Sequence, residues 1–266
     1  MKRREFLASA AVASLAAATA PNSLSGAADT GAGNREFYQL RRYQLARGPQ
    51  LKLADDYFRL ALVPALNRLG LTPVGVFNLT IGPDTPAMYV LIPSSTVDAL
   101  TSIENRLAQD AEYAKSGTDF LKAPAKEPAF HEVEISLMQA FENMPKLKVP
   151  AAAADHRPRL FELRTYKSPS EELHKRKVGM FNSSEMALQA QYNMGAVFYG
   201  DTIVGARMPN LTYMLAFDNL ADREKKFLAF NDSDGWKALL ADPRYPQEIV
   251  ATVTNFILTP TAYSQI

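Results

Sequence analysis

Leu160-Phe161-Glu162-Leu163-Arg164-Thr165-Tyr166 has a counterpart near the start of the chain, Phe37-Tyr38-Gln39-Leu40-Arg41-Arg42-Tyr43, in which Leu, Arg and Tyr recur 123 positions apart. Two further pairs agree to within one residue. Met88-Tyr89-Val90-Leu91 aligns with Thr212-Tyr213-Met214-Leu215, and Ser95-Thr96-Val97-Asp98 with Asn219-Leu220-Ala221-Asp222, both at an offset of 124. Self-similarity at one long offset marks a repeated structural unit rather than chance resemblance. The copies span 35–141 and 159–266. Between them, 142–158 carries three prolines and an alanine run at 151–154, without the periodicity that builds a core, and reads as a linker.

Each copy reads strand, helix, strand, strand, helix, strand. In the second, 160–166 alternates apolar and polar side chains as a half-buried strand does, and Pro169 stands early in a helical segment reaching Tyr192. The β-rich runs 196–204 and 211–217 are separated by Gly205 and Pro209-Asn210, a hairpin signature. Asn219 is a good N-cap, Asp222 puts negative charge in the first helical turn, and 249–258 closes the unit as a strand. The first copy gives strands near 37–45, 74–81, 87–92 and 130–138, with helices near 51–70 and 96–114.

A βαββαβ order forms a four-stranded antiparallel sheet with both helices on one face, leaving an apolar face in need of cover. The expected fold class is therefore α+β: two ferredoxin-like repeats whose sheets face each other and curl into an eight-stranded barrel inside one chain. Two independent ferredoxin-like domains on a linker are the alternative, and would leave far more open sheet.

Length and composition suit such a core. The 266 residues are 47% hydrophobic with a net charge of +1, so no general field recruits nucleic acid. Cysteine is absent, which excludes disulfides, thiolate metal sites and a cysteine nucleophile. No serine stands in a Gly-x-Ser-x-Gly setting and no glycine-rich turn has phosphate-cradling spacing.

The opening Met1-Lys2-Arg3-Arg4-Glu5-Phe6-Leu7, followed by the alanine-rich run 8–20, resembles a twin-arginine export signal. That run is too short to span a ~30 Å hydrocarbon core, so no permanent membrane anchor is expected after cleavage. Cleavage after Ala27 gives a signal peptide 1–27, a tail 28–34 and a mature net charge of −1 in the periplasm or outside the cell. Oligomeric state stays open, a homodimer being one outcome.

The second copy resembles the NIPSNAP family through Phe161-Glu162-Leu163-Arg164-Thr165-Tyr166, through the segment from Tyr213 to Lys225, and through Phe227, Phe230 and Trp236. The first copy keeps Leu40-Arg41-Arg42-Tyr43 but reads Ala99-Leu100-Thr101-Ser102 opposite the Arg223-Glu224-Lys225 segment, as a diverged partner would. The resemblance implies the dimeric α/β-barrel superfamily, which includes cofactor-free oxygenases, haem proteins and small-molecule binders. It supplies no catalytic residues to carry over.

Alternate strand residues face opposite ways. The expectation is that Phe161, Leu163 and Thr165 pack toward the helices while Glu162, Arg164 and Tyr166, with Gln39, Arg41 and Tyr43, face a hollow barrel. Arg41, Tyr43, Glu162, Arg164 and Tyr166 are the ligand-binding candidates, since guanidinium offers a planar fork of donors to an organic anion. Arg164 would otherwise be neutralised by Glu162, or by Glu132 and Glu134. The apolar set Phe227, Leu228, Phe230 and Trp236 reads as helix-to-sheet packing, and Asp222 to Lys226 as a solvated helix start with i,i+4 pairing. His131, His156 and His174 lack metal-ligand spacing; His174 alone is a weak candidate for an axial haem ligand. The functional expectation is binding of a small organic or anionic ligand, or a protein partner, with no cofactor. A cofactor-independent oxygenase is the alternative and a haem protein the third reading.

Overall fold

The computed structural model describes residues 35–155 and 157–266; the expected signal peptide, the tail to Asn34 and His156 lie outside the described residues. Eight strands form a closed, wholly antiparallel barrel in a mixed α/β fold: β1 Phe37–Gln44, β2 Gly75–Ile81, β3 Ala87–Ser94, β4 Glu132–Ala140, β5 Leu160–Lys167, β6 Gly195–Val204, β7 Asn210–Phe217 and β8 Thr252–Pro260. Around the barrel the order is β1-β3-β2-β8-β5-β7-β6-β4. The β2–β8 and β4–β6 ladders stitch the halves together, each with a register shift that bends the sheet.

The helices lie outside. Helix α1 runs Pro49–Tyr57, passes through a π-helical turn Phe58–Leu62 and continues Val63–Arg68. The single helix expected at 96–114 is instead three short ones, α2 Val97–Thr101, α3 Ile103–Leu107 and α4 Ala111–Ser116, with a further turn α5 Thr118–Leu121 beyond the expected end. The Asp110 carboxylate caps the Tyr113 N–H, so the chain restarts a helix where periodicity suggested one continuous run. A short helix α6, Ala151–Ala154, falls between the halves. Helix α7 mirrors α1, as Glu171–Met180, a π turn Phe181–Glu185, and Met186–Gln191. Helices α8 Leu220–Asp232 and α9 Asp234–Leu240 complete the layer, with Asn219 capping α8 through the Asp222 N–H as expected.

The strand faces are the reverse of those expected. The barrel interior is filled by Phe161, Leu163, Tyr38, Tyr89, Met138, Phe198, Met214 and Leu258 with their neighbours, and the C-terminal Ile266 is buried among them. An eight-stranded barrel is just wide enough for its own side chains. Aliphatic chains and aromatic rings take that space, and even the two phenols among them, Tyr38 and Tyr89, leave their hydroxyls without a hydrogen-bond partner, so a charged group there would be far more costly. Arg41, Tyr43, Arg164 and Tyr166 therefore point outward, under the helices, where helix side chains and backbone supply partners. The two arginines share no hollow.

The 124-residue alignment is also corrected. Arg41 pairs with Val90 across β1 and β3, and Arg164 with Tyr213 across β5 and β7, so the partner of Tyr213 is Val90, at 123. Tyr89 packs inside the barrel and Tyr213 under the helices. A slip of one residue exchanges faces. The N-caps Thr96 and Asn219 and the π turns beginning at Phe58 and Phe181 keep the same offset of 123.

Candidate functional site

Beneath the helices of the first half, β1 presents Gln39, Arg41 and Tyr43. Gln39 donates to the Leu100 carbonyl at 3.2 Å, and Arg41 donates to Gln39 Oε1 at 2.6 Å and pairs with the largely exposed Glu104 at 2.8 Å. Tyr43 packs edge-on against Phe58, Phe120 and Phe130 in an apolar core. Only the end of the Arg41 guanidinium reaches water through its partner. This side is a packed structural layer.

The second half builds something different at the same positions. Glu162 is fully buried and accepts from two guanidiniums: Arg164 Nη1 at 2.7 Å, and Arg223 through Nε and Nη2, both at 2.9 Å. Its neutralisation by Arg164 on the same strand is the expected structural pairing; Glu134 instead meets Arg42 at 3.3 Å. Arg164 Nε and Nη2 also donate to Tyr166 Oη at 3.3 and 3.0 Å, leaving that hydroxyl to donate to Tyr213 Oη at 2.9 Å. The Phe227 ring lies against both cations, 5.0 Å from the Arg164 carbon and 4.4 Å from that of Arg223.

Burial disfavours charge on Arg164, but Tyr213, Tyr166 and Glu162 together raise its pKa above the ordinary arginine value. Burial, then the neighbouring Tyr166, push the Tyr213 phenol well above its usual range, so it stays a neutral hydroxyl. For Arg223 the hydrogen bond to Glu162 is the main cause of a raised pKa.

Helix α7 adds a second charged pair. Lys177 Nζ meets Glu185 Oε2 at 2.7 Å with both side chains almost wholly buried, and Gln189 donates to Glu185 Oε1 at 3.3 Å while accepting from Tyr199 Oη at 2.6 Å. The ammonium lies 4.8 Å from the Phe181 ring, 5.4 Å from Tyr166 and 5.9 Å from Trp236. Glu185 ends the π turn, whose extra residue re-aims the helix side chains that follow.

The first half serves as an internal control. At the offset of 123, Lys177, Glu185, Gln189, Tyr199 and Tyr213 correspond to Ala54, Leu62, Leu66, Val76 and Val90, all buried hydrocarbon. Arg223 corresponds to Leu100 and Phe227 to Glu104. The same helix docks on the same sheet face in both halves, so docking does not require the charges.

Sequence reasoning missed Lys177, Glu185, Gln189, Tyr199, Tyr213 and the inward role of Arg223. A signal was present: 177, 181, 185 and 189 advance in steps of four along one helical face, and three of the four are polar where the first half is apolar. Phe227, Phe230 and Trp236 pack against the sheet as expected, whereas Leu228 is 55% exposed. Asp222 and Lys226 form the expected i,i+4 pair at 2.8 Å.

The site reaches the surface beside α8, in a groove of about 540 Å³ lined by Ile81, Glu162, Leu220, Ala221, Arg223, Glu224, Asn255 and Ile257. His174 lies elsewhere, buried at the start of α7 with Nε2 2.7 Å from Asp201 Oδ1. Nε2 is engaged by Asp201 and Nδ1 is buried inside the fold, so neither nitrogen is open to a haem iron and the ring does not fit an axial role. Among the described residues no group of three His, Cys, Asp or Glu could hold a metal, and no helix is long and apolar enough to cross a membrane.

Residues 161–265 match the NIPSNAP family model, and the charged layer falls within the matched residues. No curated protein matches the chain in sequence. Over most of its length the fold is similar to a monooxygenase-like protein of Lactobacillus acidophilus, at 8% identity and a TM-score of 0.53, covering 85% of this chain and 94% of that one. A monooxygenase-like protein of Fusobacterium nucleatum is similar at 10% identity and a TM-score of 0.52, covering 86% and 93%. A NIPSNAP-like domain protein of Burkholderia xenovorans covers 41% of this chain and 90% of its own, at 18% identity and a TM-score of 0.38. At such identities the likeness concerns the fold alone.

Proposed function

We propose that this chain, whose second half is a NIPSNAP domain, binds a small organic molecule through the charged layer under α7 and α8, the first half serving as a structural partner. The observation that carries this reading is the contrast at equivalent positions: five polar or charged residues stand where the first half packs hydrocarbon. Taking an ion pair out of water costs several kcal/mol per ion before pairing repays it, and apolar packing at such a site is often as stable or more so. A chain that holds the apolar solution in one half and the costly one in the other uses the latter for something besides folding.

The finer parts of the reading belong with it. Each half is a ferredoxin-like repeat, supported by the matching pairing orders β4-β1-β3-β2 and β8-β5-β7-β6. The twin arginines support export to the periplasm or beyond, with no lasting membrane anchor and no nucleic-acid partner. The oxygenase alternative draws on the Lys177–Glu185 pair beside Tyr166, an acid–base constellation that oxygen uptake on a trapped ligand would test.

The test is native mass spectrometry of protein secreted from a bacterial host. The wild type is expected to carry an organic mass that a folded Arg164→Ala variant has lost, while Arg41→Ala keeps it. Retention of that mass in Arg164→Ala, or its absence from the wild type after incubation with host periplasmic extract, overturns the reading.

A further inference from the structure

We infer that the groove beside α8 recognises an amphipathic carboxylate, its acid group held by Arg223 and its apolar body lying over Ile81, Leu220 and Ile257; this rests on the reading of the second half as a binding site. The groove of about 540 Å³ is within the ordinary size range of small-ligand sites. Its walls are apolar side chains left in water: Ile81 is 52% exposed and Leu220 49%. Ile81 and Ile257 are directly opposed across the β2–β8 ladder and make one continuous apolar surface.

The charge at its floor is unbalanced. Two guanidiniums, Arg164 and Arg223, share one buried carboxylate, Glu162. All three Arg164 nitrogens face enclosed partners, Nη1 on Glu162 and Nε and Nη2 on Tyr166. Arg223 differs: Nε and Nη2 hold Glu162, but Nη1 reaches only Glu224, at 3.1 Å, whose side chain is 61% exposed. A pair with so exposed a partner contributes little, whereas a ligand carboxylate brought onto a partly desolvated guanidinium forms a stronger bond. An incoming acid can take Nη1 without disturbing the buried pair. Asn255 lines the same groove and adds an amide donor. The first half has Leu100 at the position of Arg223, so the carboxylate-holding guanidinium is supplied by the second half alone, while Ile81 of the first half completes the apolar wall.

Glu224 is thus a competitor for the ligand's place, which gives the proposal a gain-of-affinity test. The probes are octanoate, 1-octanol and octylammonium, titrated into the full chain and followed by NMR at the methyl groups of Ile81, Leu220 and Ile257. Octanoate is expected to bind about tenfold more tightly than 1-octanol, as a charge-assisted contact predicts. Glu224→Gln should tighten octanoate severalfold and leave 1-octanol unchanged, and Arg223→Gln should abolish the preference. Equal binding of octanoate and 1-octanol, a preference for octylammonium, or an octanoate affinity indifferent to Glu224→Gln overturns the carboxylate assignment. A ligand retained from the host that perturbs Tyr166 and Trp236 but not these methyls would leave the binding site standing and remove the groove from it.

Discussion

Glu162 and Glu104 are both acids paired to a strand arginine, and their different surroundings give them different weights. Glu162 is wholly enclosed and neutralises two guanidiniums, while Glu104 keeps 68% of its side chain in water. Replacing Glu162 by Gln leaves two partly buried cations short of a counter-charge, so a loss of roughly 3–5 kcal/mol is expected. Glu104→Gln removes a pair whose acid is solvated, and the expected loss is below about 1 kcal/mol. Urea denaturation of the two variants measures the difference, and similar midpoints would contradict this account of the layer. The residue pattern announced an arginine, a tyrosine and an acid on one strand. It gave no sign that Arg223, 61 positions further on, would be the second partner, because a charge run at a helix start ordinarily stays in solvent.

Helix α7 is where the halves differ most. Its π turn has the same position as that of α1, and its flanking residues dock on the same sheet face, yet it carries Lys177 and Glu185 where α1 carries Ala54 and Leu62. Lys177→Met alone strands a buried carboxylate and is expected to cost roughly 3–5 kcal/mol, whereas the double variant Lys177→Met with Glu185→Leu should return to wild-type stability or exceed it by about 1–4 kcal/mol. A double-mutant cycle by thermal or urea unfolding checks this. If the double variant stays as unstable as the single one, the pair is structural and the contrast with α1 loses its force. The π turns themselves escaped the periodicity, since one inserted residue shifts the apolar stripe without breaking it.

At the level of the barrel, the interior belongs to neither half. Tyr38, Tyr89 and Met138 from the first meet Phe161, Phe198 and Leu258 from the second, and the β2–β8 and β4–β6 ladders close the circle. The two halves should therefore unfold together. Trp236 is the chain's one tryptophan and reports on the second half. Leu91→Ala, a buried substitution in the first, is expected to lower the Trp236 fluorescence transition by about 2–5 kcal/mol, coincident with the loss of far-UV circular dichroism. Separate transitions for the two signals would mean that each half holds its own core.

Element order, and the placing of Leu40-Arg41-Arg42-Tyr43 and Leu163-Arg164-Thr165-Tyr166 on strands, were legible because strand alternation, caps and turn residues are local properties of the chain. The pairing of Arg164 with Glu162 was legible too, since residues two apart on a strand share a face. Which face that was could not be read. Both faces of every strand are covered, one by the opposite wall of the barrel and one by helices, so alternation distinguishes the two sets without assigning them. Closure of eight strands made the assignment: a bore that narrow is filled by its own aliphatic and aromatic side chains, and it drove Arg41, Tyr43, Glu162, Arg164 and Tyr166 outward, those of the second half to meet Arg223 and Lys177 from helices distant in sequence.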